Sequence, residues 1–275
     1  YEIGSGLVGS EMCIRDRIYG FVNDGFYTVD DFKPFDSKSR TWTLKDGVVN
    51  SSPLSGDPRP GNAKFKKLTP VDENSANPYT LTDDDRTVIG NTTPKFSGGF
   101  GLNATFKGFD VSAFFNFMYD FDVFNANKVM MTTWASNNYN NFSMDISAAK
   151  RWRNFDDMGN EIRYSPEILA EFNKNATMWN PTSIGRPIAM SYAVEDGSFL
   201  RLNTATIGYT LPRAWTNKVG LSRVRFYASG YNLFTITGYS GYDPEVDIAT
   251  GLTPNIDNNR YPRSRTYTFG VQLTF

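Results

Sequence analysis

The sequence RTYTFGVQLTF, residues 265–275, alternates apolar and polar side chains without a break. After Arg265 every odd-numbered residue is aromatic or aliphatic, whereas the even-numbered residues are Thr, Gly and Gln. A period of two is typical of a strand whose two faces meet different environments. This strand therefore has one apolar and one polar face. The two environments are either a protein core and water, or lipid and a polar interior.

Two runs upstream of this stretch also predict strands, Ser198–Thr210 and Val224–Ile236. In the second run, the parity of Phe226 differs from that of Tyr231. One extra residue in a strand reverses which face the following side chains occupy. We therefore expect a β-bulge near Ser229–Gly230.

An earlier hairpin is predicted from Phe96–Phe106 and Phe109–Phe121, joined by Lys107 and Gly108. Both runs carry aromatic or aliphatic residues at every second position except Gly98, with aromatics at both ends. Each has about the ten residues that a tilted strand needs to cross a bilayer, whereas strands of soluble sandwiches have about five or six. Terminal aromatics are also typical of the interfacial girdles of membrane barrels.

The connections between these strands alternate between short and long. Residues 107–108 and 211–222 form the short ones. Residues 22–95, 122–197 and 237–262 form the long ones, and we expect short helices at Asp145–Trp152 and from Ser165 onward. Short turns on one side and long loops on the other are typical of outer-membrane barrels.

The composition excludes several classes of function. The chain has no histidine, so catalytic triads with histidine and histidine-ligated zinc are excluded. Lys plus Arg (28) nearly balances Asp plus Glu (29), which argues against nucleic-acid binding. A hydrolase with paired carboxylates is an alternative, but no compact acid–base motif supports it. We expect neither an enzyme nor a cofactor or metal.

An acidic segment contains Val71–Asn74 and Thr82–Asp85. Its carboxylates resemble a calcium loop, but the spacing differs from that of an EF-hand and the required glycine is missing. We therefore interpret it as a solvated acidic loop.

Residues 1–17, YEIGSGLVGSEMCIRDR, match neither a signal peptide nor the sequence that follows. They resemble translated adaptor sequence, so we interpret them as a non-native leader. The single cysteine, Cys13, lies within it. Native protein is then expected from residue 18 onward.

The late loops are rich in aromatic and acidic residues. Flat rings stack on the apolar faces of sugars or on peptide side chains, while carboxylates and amides bind hydroxyl and amide groups. The same rings also suit the small core of a large loop, and both interpretations remain open. The candidate residues for binding a substrate or partner are Trp134, Trp152, Trp179, Tyr239, Tyr242 and Asp243.

Several phrases along the chain resemble one known family, the SusC/RagA-type TonB-linked outer-membrane transporters. The phrases are DDRTVIGN (84–91), PKFSGGF (94–100), VEDGSFLRL (194–202), GYTLP (208–212), GYNLF (230–234), GYDPE (241–245) and RTYTFG (265–270). They follow the family's order from about residue 18 to residue 275. Leu68–Ser75 departs from the Asp/Asn/Gly-rich segment that members often carry before the first phrase.

The resemblance implies an all-β fold, a transmembrane antiparallel barrel of about 22 strands with a plugged lumen. Residues 18–275 would supply about six C-terminal strands and long extracellular loops, without the plug domain. The implied function is TonB-energised uptake of oligosaccharides or peptides with a SusD-like lipoprotein in the Gram-negative outer membrane. A fragment of this size is expected to be inactive alone.

The resemblance also implies that the last strand is recognised by the barrel-assembly machinery. The residues implied are Tyr267, Phe269, Val271, Leu273 and Phe275. The alternative interpretation of the whole chain is a soluble secreted β-rich module that binds glycans.

Overall fold

The computed structural model describes residues 17–72, 74–134, 142–185, 188–246, 255–259 and 261–275. Apart from Arg17, the predicted leader lies outside the described residues. The chain forms two compact units. The first contains the residues up to Gly90 together with Phe124–Val194, and the second contains Asn91–Val123 and Glu195–Phe275.

Strands dominate the secondary structure, with a few short helices. The strands are β1 (Arg17–Gly20), β2 (Asn23–Phe26), β3 (Ala63–Phe65), β4 (Thr87–Asn91), β5 (Phe96–Phe106), β6 (Phe109–Tyr119), β7 (Asp122–Asn125), β8 (Val194–Asp196), β9 (Phe199–Thr210), β10 (Arg223–Thr237), β11 (Ile256–Asp257) and β12 (Thr266–Thr274). The α-helices are α1 (Ser52–Ser55), α2 (Ala126–Thr132), α3 (Pro166–Phe172) and α4 (Arg213–Thr216). The 3-10 helices are Val29–Asp31, Asp83–Asp85, Met144–Ile146, Pro181–Ser183, Ser191–Ala193 and Asn217–Val219.

The second unit is built on a five-stranded antiparallel sheet with the order β12-β10-β9-β6-β5. Long strands that follow one another along the chain are also neighbours in the sheet, so they form a meander. Lys107 and Gly108 join β5 to β6, with φ angles of 46° and 89°. Two consecutive positive φ angles suit the tight turns that join twisted strands. The predicted hairpin is confirmed.

Cross-strand pairing places most of the apolar residues of the five strands on one face, because paired residues point to the same side of a sheet. This face, called here the apolar face, contains Phe96, Phe100, Leu102, Phe106, Phe109, Val111, Phe115, Phe117, Tyr119, Leu200, Leu202, Ile207, Tyr209, Phe226, Phe234, Ile236, Tyr267, Phe269, Val271 and Leu273. The other paired residues on this face are Val224 and several alanine and glycine residues. Many of these side chains are exposed, for example Phe106 at 70% and Phe269 at 78%.

A β-bulge interrupts the pairing of β10 with β9, but its position differs from the prediction. The register shifts between Tyr231 and Phe234, beyond Ser229–Gly230. Asn232 adopts a φ of 52°, in the left-handed region that asparagine tolerates. Between these pairs β10 advances by three residues and β9 by two, so β10 holds one extra residue relative to β9, and Phe234 continues the apolar face. Tyr231 pairs with Thr204 on the polar face.

The first strand, β1, does not join the long strands. β1 pairs with β4 in a separate two-stranded sheet, so the main sheet has five strands where about six were expected. A Cβ at Gly20 would lie 2.5 Å from the carbonyl oxygen of Ala189, so the backbone there packs closely against another segment of the first unit. Phe21 enters the core of that unit.

The first unit has its own hydrophobic core. The main cluster is formed by Phe21, Leu54, Ala63, Phe65, Leu81, Val129, Ile146, Met178, Trp179, Ile184, Ile188, Met190 and Ala193. A second cluster contains Trp152, Ile162 and Leu169. The first unit is therefore folded around its own core and does not consist of extended loops. We call this unit the insertion.

The two helix predictions had opposite outcomes. The helix after Ser165 is confirmed as α3, with Pro166 in its first turn. The helix predicted over Asp145–Trp152 is wrong, since only Met144–Ile146 is helical and the backbone N–H of Trp152 donates to the carbonyl of Met178. Pairing with that distant segment overrides local helix propensity. No helix within the described ranges is long and apolar enough to span a membrane.

Candidate ligand-binding surfaces

The polar face of the five-stranded sheet carries a fixed ion pair. Arg225 of β10 reaches across β9 to Asp110 of β6, and its Nε donates to Asp110 Oδ1 at 2.9 Å. Gly208 of β9 lies beneath them, and a Cβ there would be 2.5 Å from the Arg225 guanidinium and 2.6 Å from Asp110. The glycine therefore provides the space through which two non-adjacent strands are linked.

Other side chains on the polar face are also ordered by their neighbours. The Tyr227 ring crosses Gly270 of β12, where a Cβ would lie 2.3 Å from the ring. The Arg225 guanidinium carbon lies 5.3 Å from the centre of the Tyr227 ring. Thr206 and Ser229 share a hydrogen bond of 2.8 Å between their hydroxyls. This face thus presents charges and hydroxyl groups held in position, which is suitable for the wall of a polar passage.

Asp243, a predicted binding residue, is held in an ion-pair network. Arg201 of β9 is almost fully buried and donates to Asp243. The same Arg201 lies 3.6 Å from Glu245, which also pairs with Arg263 at 2.7 Å. Burial alone would raise the pKa of Asp243, but the hydrogen bond and charge of Arg201, together with hydrogen bonds from the backbone of Glu245 and Arg263, outweigh burial and lower the pKa. The carboxylate of Asp243 is therefore engaged in anchoring its own loop.

The two neighbouring tyrosines have different surroundings. Tyr239 is 6% exposed, and its hydroxyl donates to Asp257 at 2.7 Å. Burial, reinforced by this carboxylate, raises the pKa of Tyr239 well above its ordinary value. Tyr242 is 76% exposed and presents its ring to solvent. Of the three predicted residues in this loop, Tyr242 is the one with an open surface.

Two predicted tryptophans of the first unit are buried. Trp152 is 3% exposed and packs against Gly61, where a Cβ would lie 2.1 Å from its Cδ1. Trp179 is 2% exposed and meets Tyr192 edge-on, with ring centres 4.8 Å apart. Both indoles contribute to the folding of the insertion, which was the second interpretation left open by the sequence.

Trp134 is 49% exposed and stacks on Phe142, with ring centres 5.5 Å apart and planes inclined by 26°. These rings line a cleft of about 450 Å³. We call it the aromatic cleft, and its further walls are Arg151, Trp152, Arg153, Asn154, Phe155, Asp156, Arg163, Asn180, Pro181 and Thr182. The structure thus brings Trp134 and the edge of Trp152 to one cavity suited to a flat apolar group.

A second cleft, of about 490 Å³, was not identified from the sequence. We call it the arginine cleft because Arg40, Arg59 and Arg163 line it together with Trp42 and Tyr164. Its residues come from three distant parts of the chain, and no local pattern signals that they converge. Only the folding of the insertion places them together.

Asp85 corrects the interpretation of the acidic segment as solvated. Its side chain is fully buried, and its Oδ1 accepts from the backbone N–H groups of Leu68 (2.9 Å) and Thr69 (2.8 Å). Its Oδ2 accepts from the N–H of Thr82 at 2.8 Å and lies 3.3 Å from Lys67 Nζ. Burial opposes ionisation, but these hydrogen bonds together hold the pKa of Asp85 well below its ordinary value.

The carboxylate of Asp85 thus organises the loop through protein donors. Among the described residues, no group of three or more His, Cys, Asp or Glu side chains is arranged to hold a metal ion. Asp83, by contrast, is exposed and pairs with Arg86 at 2.8 Å.

The residues predicted to guide barrel assembly lie along and just beyond β12. Tyr267, Phe269, Val271 and Leu273 share the apolar face, and all four are at least half exposed. Phe275 follows β12 and is also exposed.

The chain is similar in sequence to known outer-membrane receptors. It is 32% identical over 228 residues to TonB-dependent receptor P3 of Formosa agariphila, covering 81% of the chain and 20% of that protein. It is 32% identical over 164 residues to TonB-dependent receptor SusC of Bacteroides thetaiotaomicron, covering 54% of the chain and 15% of that protein. The chain therefore spans about a fifth of the length of the relatives it matches. No family model matches it.

Solved structures share its fold. The RagAB peptide importer in its open-open state superposes with a TM-score of 0.57 at 22% identity, over 94% of the chain and 22% of the importer chain. A second structure of the RagAB peptide transporter gives a TM-score of 0.55 at 21% identity, over 94% and 22% of the respective chains. At this level of identity, the likeness concerns the fold alone.

Proposed function

The chain belongs to the SusC/RagA-like TonB-dependent outer-membrane transporters, and from this we propose that the whole protein imports oligosaccharides or peptides. The observation that carries the proposal is the five-stranded sheet, whose apolar face is exposed while its other face holds charges and hydroxyl groups. An exposed apolar surface of this extent is typical of contact with lipid. The polar face would then line the interior of the barrel.

Import in this proposal needs no covalent chemistry. The relatives are receptors and transporters, which are not enzymes. Ligand binding in the loops would precede passage along the polar face, with energy supplied by a TonB complex and a SusD-like lipoprotein as the partner that covers the loops. Both partners are inferred from the family, as are the outer-membrane lipid and the barrel-assembly machinery.

For ligand contact we propose Trp134 and Tyr242, because their rings are exposed. Trp152, Trp179, Tyr239 and Asp243 would act indirectly by holding the loops that carry those rings. Aromatic platforms suit both the apolar faces of sugars and peptide side chains, so they leave the choice between the two ligands open. The role of Tyr267, Phe269, Val271, Leu273 and Phe275 in barrel assembly stays a prediction.

Uptake by the full-length protein tests the proposal. The protein is produced in the outer membrane of a Gram-negative host together with the lipoprotein encoded beside it, and accumulation of labelled oligosaccharides and peptides is measured. We expect accumulation of at least one class of probe, and we expect it to stop when TonB is deleted. Accumulation that persists without TonB, or no accumulation of either class, would contradict the proposal.

Fractionation of the same cells distinguishes the transporter from the soluble glycan-binding module considered above. We expect the full-length protein in the outer-membrane fraction, released only by detergent. Recovery in the soluble fraction without detergent would favour the secreted module.

A further inference from the structure

The arginine cleft concentrates positive charge around one aromatic ring. The guanidinium carbons of Arg40 and Arg163 lie 5.3 Å and 5.7 Å from the centre of the Tyr164 ring. Arg59 lines the same cleft. Contact with the ring faces orients two of the three guanidinium groups. Part of the conformational entropy that these side chains would lose on binding a ligand is therefore already lost in the free protein.

The positive charges in this cleft are only partly balanced by the protein. Arg163 pairs with Glu161, whereas Arg40 and Arg59 have no carboxylate partner within the part of the chain that the structure describes. Asp57 is the only acidic residue among the cleft's described walls. Like charges that converge without partners repel each other, and an anion that binds between them removes this repulsion. Guanidinium groups also match the planar geometry of carboxylate and sulfate oxygens.

The arginine cleft adjoins the aromatic cleft. Asn154, Arg163 and Thr182 line both cavities, so they form the shared wall. An elongated ligand can therefore place a flat apolar group against Trp134 and an acidic group near Arg40 and Arg59.

We propose that the arginine cleft binds a carboxylate or sulfate group of the imported molecule, which makes the preferred ligand acidic. This inference rests on the proposed import function and specifies the ligand's charge. Acidic sugars and acidic peptides both supply such a group, and the experiment distinguishes between them.

Binding to the purified full-length protein in detergent provides the test. The probes are a galacturonic acid oligosaccharide, a sulfated oligosaccharide and a glutamate-containing peptide, each with a neutral counterpart of equal length. The variants are the double substitution Arg40→Gln/Arg59→Gln and the control Lys38→Gln. Lys38 is an exposed cation close to Arg40 in the sequence, and it does not line the cleft.

We expect at least one acidic probe to bind about tenfold or more tightly than its neutral counterpart, because a guanidinium–anion contact typically contributes that much. The double variant should lose most of this preference, and Lys38→Gln should keep it. Added salt should weaken binding of the acidic probe more than binding of its neutral counterpart. A preference for acidic probes that is confined to sugars or to peptides supports anion binding by the arginine cleft and identifies which class of ligand supplies the acidic group.

The inference is overturned if no acidic probe binds better than its neutral counterpart, or if the double variant and Lys38→Gln behave alike. TonB-dependent uptake of neutral probes in that case would leave the import function standing. Failure of uptake for every probe would instead remove the import function.

Discussion

At the scale of single residues, Asp85 shows how an acidic side chain acquires a structural role. In sequence it is the third member of an Asp-Asp-Asp run and has no feature that distinguishes it from its neighbours. In the fold it is fully buried and accepts hydrogen bonds from three backbone N–H groups, while Asp83 stays in solvent. Hydrogen bonding to the charged form explains why its pKa is lowered despite burial.

We therefore expect Asp85→Asn to destabilise the first unit by about 3 kcal/mol, because it leaves the largely buried Lys67 ammonium without its carboxylate. Hydrogen exchange of residues 67–85 in the full-length protein, measured near neutral pH, checks this expectation. Asp83→Asn is the matched control, and it should change stability by about 0.5 kcal/mol or less because its ion pair is exposed. Equal effects of the two variants would contradict the proposed role of Asp85.

The same group makes stability depend on pH. The pKa of Asp85 is lowered in the folded state, so its contribution is complete above the ordinary carboxyl pKa of about 4. The contribution is lost progressively as the pH falls below that value. The difference between the wild type and Asp85→Asn in protection from hydrogen exchange over residues 67–85 should therefore be constant from pH 7 to about pH 5. It should shrink in more acidic solution. A difference that grows on acidification would show that another group is responsible.

At the scale of elements, Gly197 joins β8 to β9 by fitting beneath a packed ring. Its N–H donates to the carbonyl of Phe121 at 2.8 Å. A Cβ at this position would lie 2.5 Å from the Phe121 ring and 2.7 Å from Val123. Both neighbours are buried in the core of the second unit, so neither has room to move aside.

We expect Gly197→Ala to destabilise the second unit by about 1–3 kcal/mol through overpacking. Thermal unfolding of the full-length protein in detergent measures the effect. Gly238→Ala is the control in the same unit, because nothing lies within 4 Å of its added methyl group. An unchanged unfolding temperature for Gly197→Ala would mean that the core around Phe121 is less rigid than the packing indicates.

At the scale of the whole molecule, the orientation of the sheet in the membrane follows from its apolar face. Neighbouring residues of β6 belong to opposite faces, since Val111 pairs with Ile207 and Ser112 pairs with Thr206. Val111 is therefore assigned to lipid and Ser112 to the barrel interior. The two positions test this assignment with the same substitution one residue apart.

We expect Val111→Arg to reduce outer-membrane insertion of the full-length protein, because an arginine on the lipid face costs about 2–4 kcal/mol near the bilayer midplane. Ser112→Arg should leave insertion close to that of the wild type, since polar side chains are tolerated in the interior. The amount of protein in the outer-membrane fraction is the measurement. If both variants insert equally well, the assignment of the apolar face to lipid is wrong.

The arrangement of the long strands was predictable from local patterns. Alternation identified β5, β6, β9, β10 and β12, and the Lys107–Gly108 turn and the connection lengths indicated their antiparallel order. These features depend on neighbours in sequence, so no distant contact is needed to recognise them. The position of the bulge in β10 was predicted a few residues too early, because Asn232 was not identified as the residue that adopts the left-handed conformation.

The roles of the loop residues were less predictable. Alternation carries information about strands only, and the insertion lacks it. Trp152 and Trp134 are the same residue type in the same long connection, yet one is buried and the other is half exposed. Likewise, β1 pairs with β4 and does not join the long strands. Each outcome depends on a partner far away in sequence.

The amino-acid sequence therefore determined the class of fold, the two-faced sheet and the family, since each is encoded in short-range alternation or in contiguous phrases. The folded chain alone established which aromatic rings remain exposed, that Asp85 and Asp243 are engaged by protein groups, and that three arginines share one cleft. The physical reason is that burial, ion pairing and cavities arise from contacts between segments that are distant along the chain, and such contacts leave no periodic trace in any one of them.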